Sequence, residues 1–296
     1  MSTKEPAITA AESRAERPTD PAVLFERRGP IGLLTLNRPD NRNGMTAELL
    51  EAFAVAVDRA RSACDMTSGG GSSSDGASTA ADGPMRALVI TGRGPCFSAG
   101  ADLRAQVQAS EAALPHERSF AMYRPFLSLL DLEVPTIAAM SGHAVGGGFG
   151  LALLCDLRVA AHEARYGANF VRIGLSPGMA ISALLPRLVG AQRAAELLLT
   201  GRLCDGAEAA RIGLALEALP AAQVLDRAME LADTIARAAP LAVRETRRLL
   251  RAESDAAAIA MARLEARAQS AILDSTDAAE GIAALLEKRA PRFGGR

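Results

Sequence analysis

Apolar residues follow two rhythms along this chain. Up to about residue 186 they gather in short runs closed by glycine, proline or asparagine. Beyond it they recur at helical spacing. The short runs predict strands at Val23-Leu24-Phe25-Glu26, Ile31–Leu36, Ala87–Gly92, Thr136–Met140 and Leu157–Ala161, the first two joined by the turn Arg28-Gly29-Pro30. A helix is expected from Ala47 to about Ala63, with Thr46 as its cap. A second is expected over 119–132. From about residue 187 to the end the pattern is helical, broken at Gly201–Leu203 and around Pro220. Residues 1–20 are polar and rich in Ala, Glu and Thr, which predicts a disordered tail. Residues 67–84, TSGGGSSSDGASTAADGP, predict a flexible insertion. Residues 104–118 are mixed and charged without an apolar stripe, and are expected to be mobile.

Two strands end in glycine turns that feed helices. One is Phe97-Ser98-Ala99-Gly100-Ala101-Asp102-Leu103; the other is Ser141-Gly142-His143-Ala144-Val145-Gly146-Gly147-Gly148-Phe149-Gly150, followed by Leu151-Ala152-Leu153-Leu154. Glycine lets a ligand approach the main chain, and a helix N-terminus aims free N–H groups and the positive end of its dipole outward. The run Gly146–Gly148 therefore reads either as an anion-holding turn or as a site of tight helix packing. Two such turns side by side would each offer one N–H to a single oxygen.

Composition narrows the function classes. The chain has 296 residues, 49% hydrophobic, enough for a sizeable core in one large or two small domains. Net charge is −1, which points away from nucleic acid. Four widely spaced cysteines and three histidines make a poor ligand set, so no metal is expected. Unpaired cysteines and no apolar leader or membrane-length run predict a cytoplasmic protein without a membrane partner.

Taken in order, Leu36-Asn37-Arg38-Pro39, Ile90-Thr91-Gly92, the two glycine turns, Cys155-Asp156, Gly174-Leu175-Ser176-Pro177-Gly178, Leu199-Thr200-Gly201 and Glu287-Lys288-Arg289 resemble the crotonase superfamily of enoyl-CoA hydratases and isomerases, from about Val23 to Phe293. The resemblance implies an α/β fold, a crotonase-like spiral of β-β-α units over 21–220 with a C-terminal α-helical oligomerisation region over 221–296. It implies trimers, often paired into hexamers, and an acyl-CoA thioester as ligand, with coenzyme A entering only as part of the substrate. It implies backbone N–H donors at Ala101 and Gly147 that hold the thioester oxygen of an enolate-like intermediate. Ala99, Ala101 and Leu103 would lie along the adenine, and Lys288 would reach the CoA phosphates, often from a neighbouring subunit.

The resemblance also marks a departure. Hydratases of the family carry two carboxylates that activate water and deliver a proton. Their positions are occupied here by Gly150 and Phe170, and no Asp or Glu occurs from Ser141 to Cys155 or from Ala164 to Ala195. Asp102, Glu111, His116 and Glu117 are the substitutes near the expected pocket; an imidazole such as that of His116 is the side-chain type suited to proton transfer. His143 is expected beneath the turn and Asp156 in a structural role. Tyr166, Asn169 and Ser176 are expected near the acyl group, and Phe170, Met179 and Ile181 suggest an apolar pocket. Two functions follow: an acyl-CoA lyase or isomerase in which ordinary hydration is lost, or a non-catalytic acyl-CoA binder or scaffold.

Overall fold

The computed structural model describes residues 20–64, 83–101 and 114–296. Most of the expected tail and insertion, and Asp102, Leu103 and Glu111, lie outside the described residues.

β1 (Val23–Arg28) and β2 (Ile31–Leu36) form the expected hairpin, and α1 (Ala47–Ala63) follows, with the Thr46 hydroxyl accepting from the Leu49 N–H. Then each turn of a spiral places one strand in each of two sheets. β3 (Ala87–Gly92), β5 (Thr136–Met140) and β7 (Leu157–Ala161) continue the large sheet, whose order is β1-β2-β3-β5-β7-β10. β4 (Cys96–Ser98), β6 (His143–Val145) and β8 (Arg165–Gly167) build the small sheet, with β9 (Cys204–Asp205) on its edge. β3, β5 and β7 run parallel and are buried almost throughout, as a sheet covered on both faces requires. β4 and β6 are parallel neighbours, so the chain leaves both at the same end.

Between these strands lie α2 (Pro115–Leu127) and α3 (Gly147–Leu154). Helix α2 begins within the stretch expected to be irregular. Pro115 sits in its first turn, where the missing N–H costs nothing. Its regular turns end at Leu127, and a tighter turn completes Ser128–Asp131. The chain then forms α4 (Ile181–Val189), α5 (Ala191–Thr200), α6 (Gly206–Arg211), β10 (Glu217–Leu219), α7 (Ala221–Ala236), α8 (Pro240–Leu273) and α9 (Thr276–Glu287). The two breaks expected in the helical half are followed or filled by β9 and β10, too short to show a period of two. No helix among the described residues is long and apolar enough to cross a membrane.

Helix α8 is tied to the sheet through Asp156, at the start of β7. Its carboxylate accepts from the Thr136 N–H (2.7 Å) and hydroxyl (2.9 Å), from Arg247 Nε (2.8 Å) and from Arg251 Nη1 (2.8 Å). Arg251 also holds Asp255 at 2.8 Å. Burial opposes ionisation of Asp156, but the guanidinium groups of Arg247 and Arg251 outweigh it and hold the carboxyl below its ordinary range. The structural role expected of Asp156 is what these contacts describe. Asp156→Asn should destabilise the fold by about 3–5 kcal/mol, because Arg247 loses its counter-charge while buried. Because the folded value is depressed, this contribution is present above the unfolded carboxylate range and is lost as pH falls through the folded value. Urea unfolding across acid pH should show a steeper loss for the parent protein than for the variant.

Candidate active site at the paired glycine turns

The two turns that the sequence sets apart meet at the ends of β4 and β6. Gly100 has φ +84°, and a Cβ placed on it would lie 2.7 Å from the Val145 carbonyl oxygen and 2.8 Å from the Gly147 nitrogen. A Cβ on Gly148 would lie 2.2 Å from the Ser98 carbonyl oxygen. The approach is thus backbone against backbone, and any side chain would force the turns apart.

Of the two expected donors, Gly147 sits at this contact and Ala101 follows Gly100 in the chain. Gly147 is the first residue of α3, so the helix itself offers its N–H no partner. Gly146 precedes it at φ +56°, with its own N–H given to the Gly167 carbonyl (2.9 Å). Ala101 forms a parallel bridge with Met45, made on this side by the Met45 N–H to the Gly100 carbonyl at 2.8 Å. In a parallel bridge the flanking residues supply the groups, so the Ala101 N–H faces away from Met45. A short, wholly buried helix points its dipole at the same place.

A knot centred on Asn43 holds the first turn. This side chain is fully buried, accepts from the Arg38 N–H (2.8 Å), and donates to the carbonyls of Arg93 (3.0 Å) and Cys96 (2.8 Å). The Ser98 hydroxyl donates to the Asn43 carbonyl (2.8 Å), and the Ala99 N–H donates to the Arg42 carbonyl (3.0 Å). Asn43 has φ +54°, a region asparagine tolerates. Sequence reasoning left it unassigned, although an asparagine before Gly44 in a loop is a signal for such a turn.

The two positions that lack carboxylates are occupied by apolar groups. A Cβ on Gly150 would lie 2.4 Å from Met179 Cβ, and Met179 is buried. Phe170, in the turn after β8, has its ring tip 3.8 Å from where a Gly146 Cβ would be. Phe170 and Met179 thus flank the first turn of α3, and Ile181 is buried at the start of α4.

Other expected residues are placed differently. Tyr166 is fully buried, accepting from the Ala161 N–H (2.7 Å) and donating to the Met140 carbonyl (2.8 Å). It locks the two sheets together and is not free to orient a substrate. His143 lies in β6 with Nδ1 accepting from the Arg165 N–H (2.9 Å). His116 is half-buried in the first turn of α2, with Glu117 exposed beside it. It shares a helix face with Tyr123, seven residues on. Tyr123 was not foreseen; it is buried, its hydroxyl donates to Gln269 Oε1, and a Cβ on Gly178 would lie 2.4 Å from that hydroxyl. Burial and the nearby Glu265 push the phenol well above its ordinary value, so it stays protonated. Asn169 makes no side-chain cap of the following turn, and the Ser176 hydroxyl is buried without a partner among the described residues. Lys288 caps the C-terminus of α9, exposed and without an ion pair to any described residue.

The enoyl-CoA hydratase/isomerase family model matches residues 77–296. The chain belongs to that family, within the crotonase superfamily. A Thermus thermophilus protein bearing an enoyl-CoA hydratase name is 37% identical over 268 residues, covering 90% of this chain and 98% of the relative. The 2,3-dehydroadipyl-CoA hydratase of Escherichia coli is 33% identical over 276 residues, covering 93% and 99%. Among solved structures, carnitinyl-CoA hydratase from Mycobacterium avium superposes with a TM-score of 0.78 at 31% identity, covering 94% of this chain and all of that one.

In this crotonase fold the turn contact leaves no room for an added methyl group. Gly100→Ala should destabilise the protein by about 2–4 kcal/mol, from a left-handed backbone carrying a Cβ and from overpacking against Val145 and Gly147. Chemical denaturation of the variant beside the parent measures it.

Proposed function

We propose that this chain binds an acyl-CoA thioester, holds its carbonyl oxygen between the N–H groups of Ala101 and Gly147, and catalyses a lyase or isomerase reaction through an enolate-like intermediate. The observation that supports this reading is the backbone contact of Gly100 with Val145 and Gly147, with a helix-terminal N–H at Gly147 and, at Ala101 next in the chain to Gly100, an N–H turned away from its own bridge. The names of the Escherichia coli and Mycobacterium avium proteins, both hydratases of CoA esters, support the substrate class. Each such donor contributes about 3 kcal/mol to a developing oxyanion.

Ordinary hydration is not part of the proposal. Water activation and α-protonation by carboxylates contribute about 10²–10⁴-fold, and apolar contacts at Met179 and Phe170 occupy the surroundings of those positions here. A substrate that carries its own carboxylate next to the α-carbon needs less. Its C–C bond breaks, carbon dioxide leaves, and the electron pair becomes the enolate that the two N–H groups hold. His116 is the proposed source of the returning proton. Coenzyme A is the only cofactor-like group, as part of the substrate. Lys288 is proposed to meet its phosphates, and Ala99 and Leu103 its adenine. Exposed leucines on α8, among them Leu241, Leu249, Leu250 and Leu264, support assembly into trimers or pairs of trimers. A cytoplasmic location is proposed as well.

A second reading, an acyl-CoA binder without turnover, is favoured by the same two apolar positions. Incubation with enoyl-, malonyl- and hydroxyacyl-CoA esters, with products followed by mass, separates the two. We expect turnover on an ester with a carboxylate at the α-carbon. Binding by calorimetry without turnover on any ester would favour the binder. Gly147→Pro removes the N–H and should lower turnover by about 10²–10³-fold, whereas Gly147→Ala makes the same demand on the neighbouring Met45 sulfur and keeps the donor. Hydration of crotonyl-CoA should run below about 0.1 s⁻¹, against an ordinary enzymatic turnover of about 10 s⁻¹.

A further inference from the structure

The geometry points to Met179 as a specificity-determining plug beside the oxyanion site, and to Glu265 as the residue that positions it; both assignments rest on the acyl-CoA reading above. Met179 and Ala180 have φ +63° and +61°. Side chains other than glycine, asparagine and aspartate avoid this region, and two such residues in succession persist only when their surroundings impose it. Glu265, on α8, imposes it. Its carboxylate is buried and accepts from the Ala180 N–H (Oε2) and from the Ser182 N–H (Oε1, 2.8 Å). One helical turn on, Gln269 Nε2 donates to the Ser176 carbonyl at 2.8 Å and Oε1 receives the Tyr123 hydroxyl. The segment from Ser176 to Ser182 is therefore gripped at both ends by one face of α8.

This grip decides what stands over α3. A side chain on a helix leans toward the N-terminus and covers the turn before its own Cα. A group projecting from position 150 would thus lie beside the Gly147 N–H. Met179 fills that direction instead, with its Cβ 2.4 Å from where a Gly150 Cβ would be. An acyl group whose carbonyl is held at Gly147 carries its α-carbon one bond away, next to Met179. The plug then selects against bulk on the α-carbon.

The test compares crotonyl-CoA with 2-methylcrotonyl-CoA by calorimetry in four proteins: the parent, Met179→Gly, Glu265→Gln and the double variant. Glycine accepts φ +63° without strain, and Glu265→Gln leaves the core volume intact while offering one acceptor to two N–H groups. The parent should prefer the unbranched ester by about tenfold or more. Met179→Gly should narrow the preference to about twofold or less, and Glu265→Gln should narrow it although Met179 is still present. The double variant should match Met179→Gly, since the two act through one contact. A preference unchanged in Met179→Gly, with binding intact, would overturn the plug. A preference that moves in Met179→Gly but not in Glu265→Gln would overturn the positioning role, whatever the change in stability. Failure of the parent to bind either ester would overturn the acyl-CoA reading and, with it, both assignments.

Discussion

Two main-chain turns come into contact only where neither presents a Cβ to the other. Gly100 meets Val145 and Gly147 in this way, and Gly148 meets the carbonyl of Ser98. Much else in the site follows from keeping that contact. Parallel pairing of β4 with β6 brings the turns to one end of the small sheet. The Asn43 side chain ties its loop to Arg38, Arg93 and Cys96, its carbonyl accepts from the Ser98 hydroxyl of the first turn, and the fully buried α3 fixes the second turn. The result is a place where the N-terminus of α3 lies against the backbone of the first turn, and where the proposed oxyanion contact needs no charged side chain.

A polar scaffold surrounds an apolar site. Asp156 ties α8 to β5 and β7 with paired arginines, and Glu265 and Gln269 on the same helix grip the segment over α3. Besides Ser98, the side chains against the turn glycines include those of Met45, Phe170 and Met179. The charges that order the helix thus serve position. This division suits the proposed reading, in which Gly150 and Phe170 stand where the sequence resemblance implies carboxylates.

The long elements and both glycine turns were legible because their signals are local: apolar runs, a Thr46 cap, and glycines where a Cβ would collide. The strands of two or three residues, β4, β6, β8, β9 and β10, were not predicted as strands, since a period of two cannot be read over so few positions. The start of α2 was missed because its first turn is charged and opens at Pro115. Glu265 was hidden in an Ala- and Arg-rich helix whose acids look solvated; its burial depends on a partner segment some 83 residues earlier in the chain. Tyr166 was assigned to the acyl site by proximity in sequence, yet its hydroxyl is held between Ala161 and Met140. Gly150 was visible as a missing carboxylate, but that Met179 fills its place required the left-handed backbone at Met179 and Ala180, which no pattern of residue types announces.

A crystal structure of the protein with an acyl-CoA or a non-reactive thioether-linked ketone analogue tests the central claim most directly. The account predicts the carbonyl oxygen at about 2.7–3.1 Å from both the Ala101 and the Gly147 nitrogen. A carbonyl bound elsewhere in a fully occupied complex, or held by side chains with these two N–H groups unused, would contradict it.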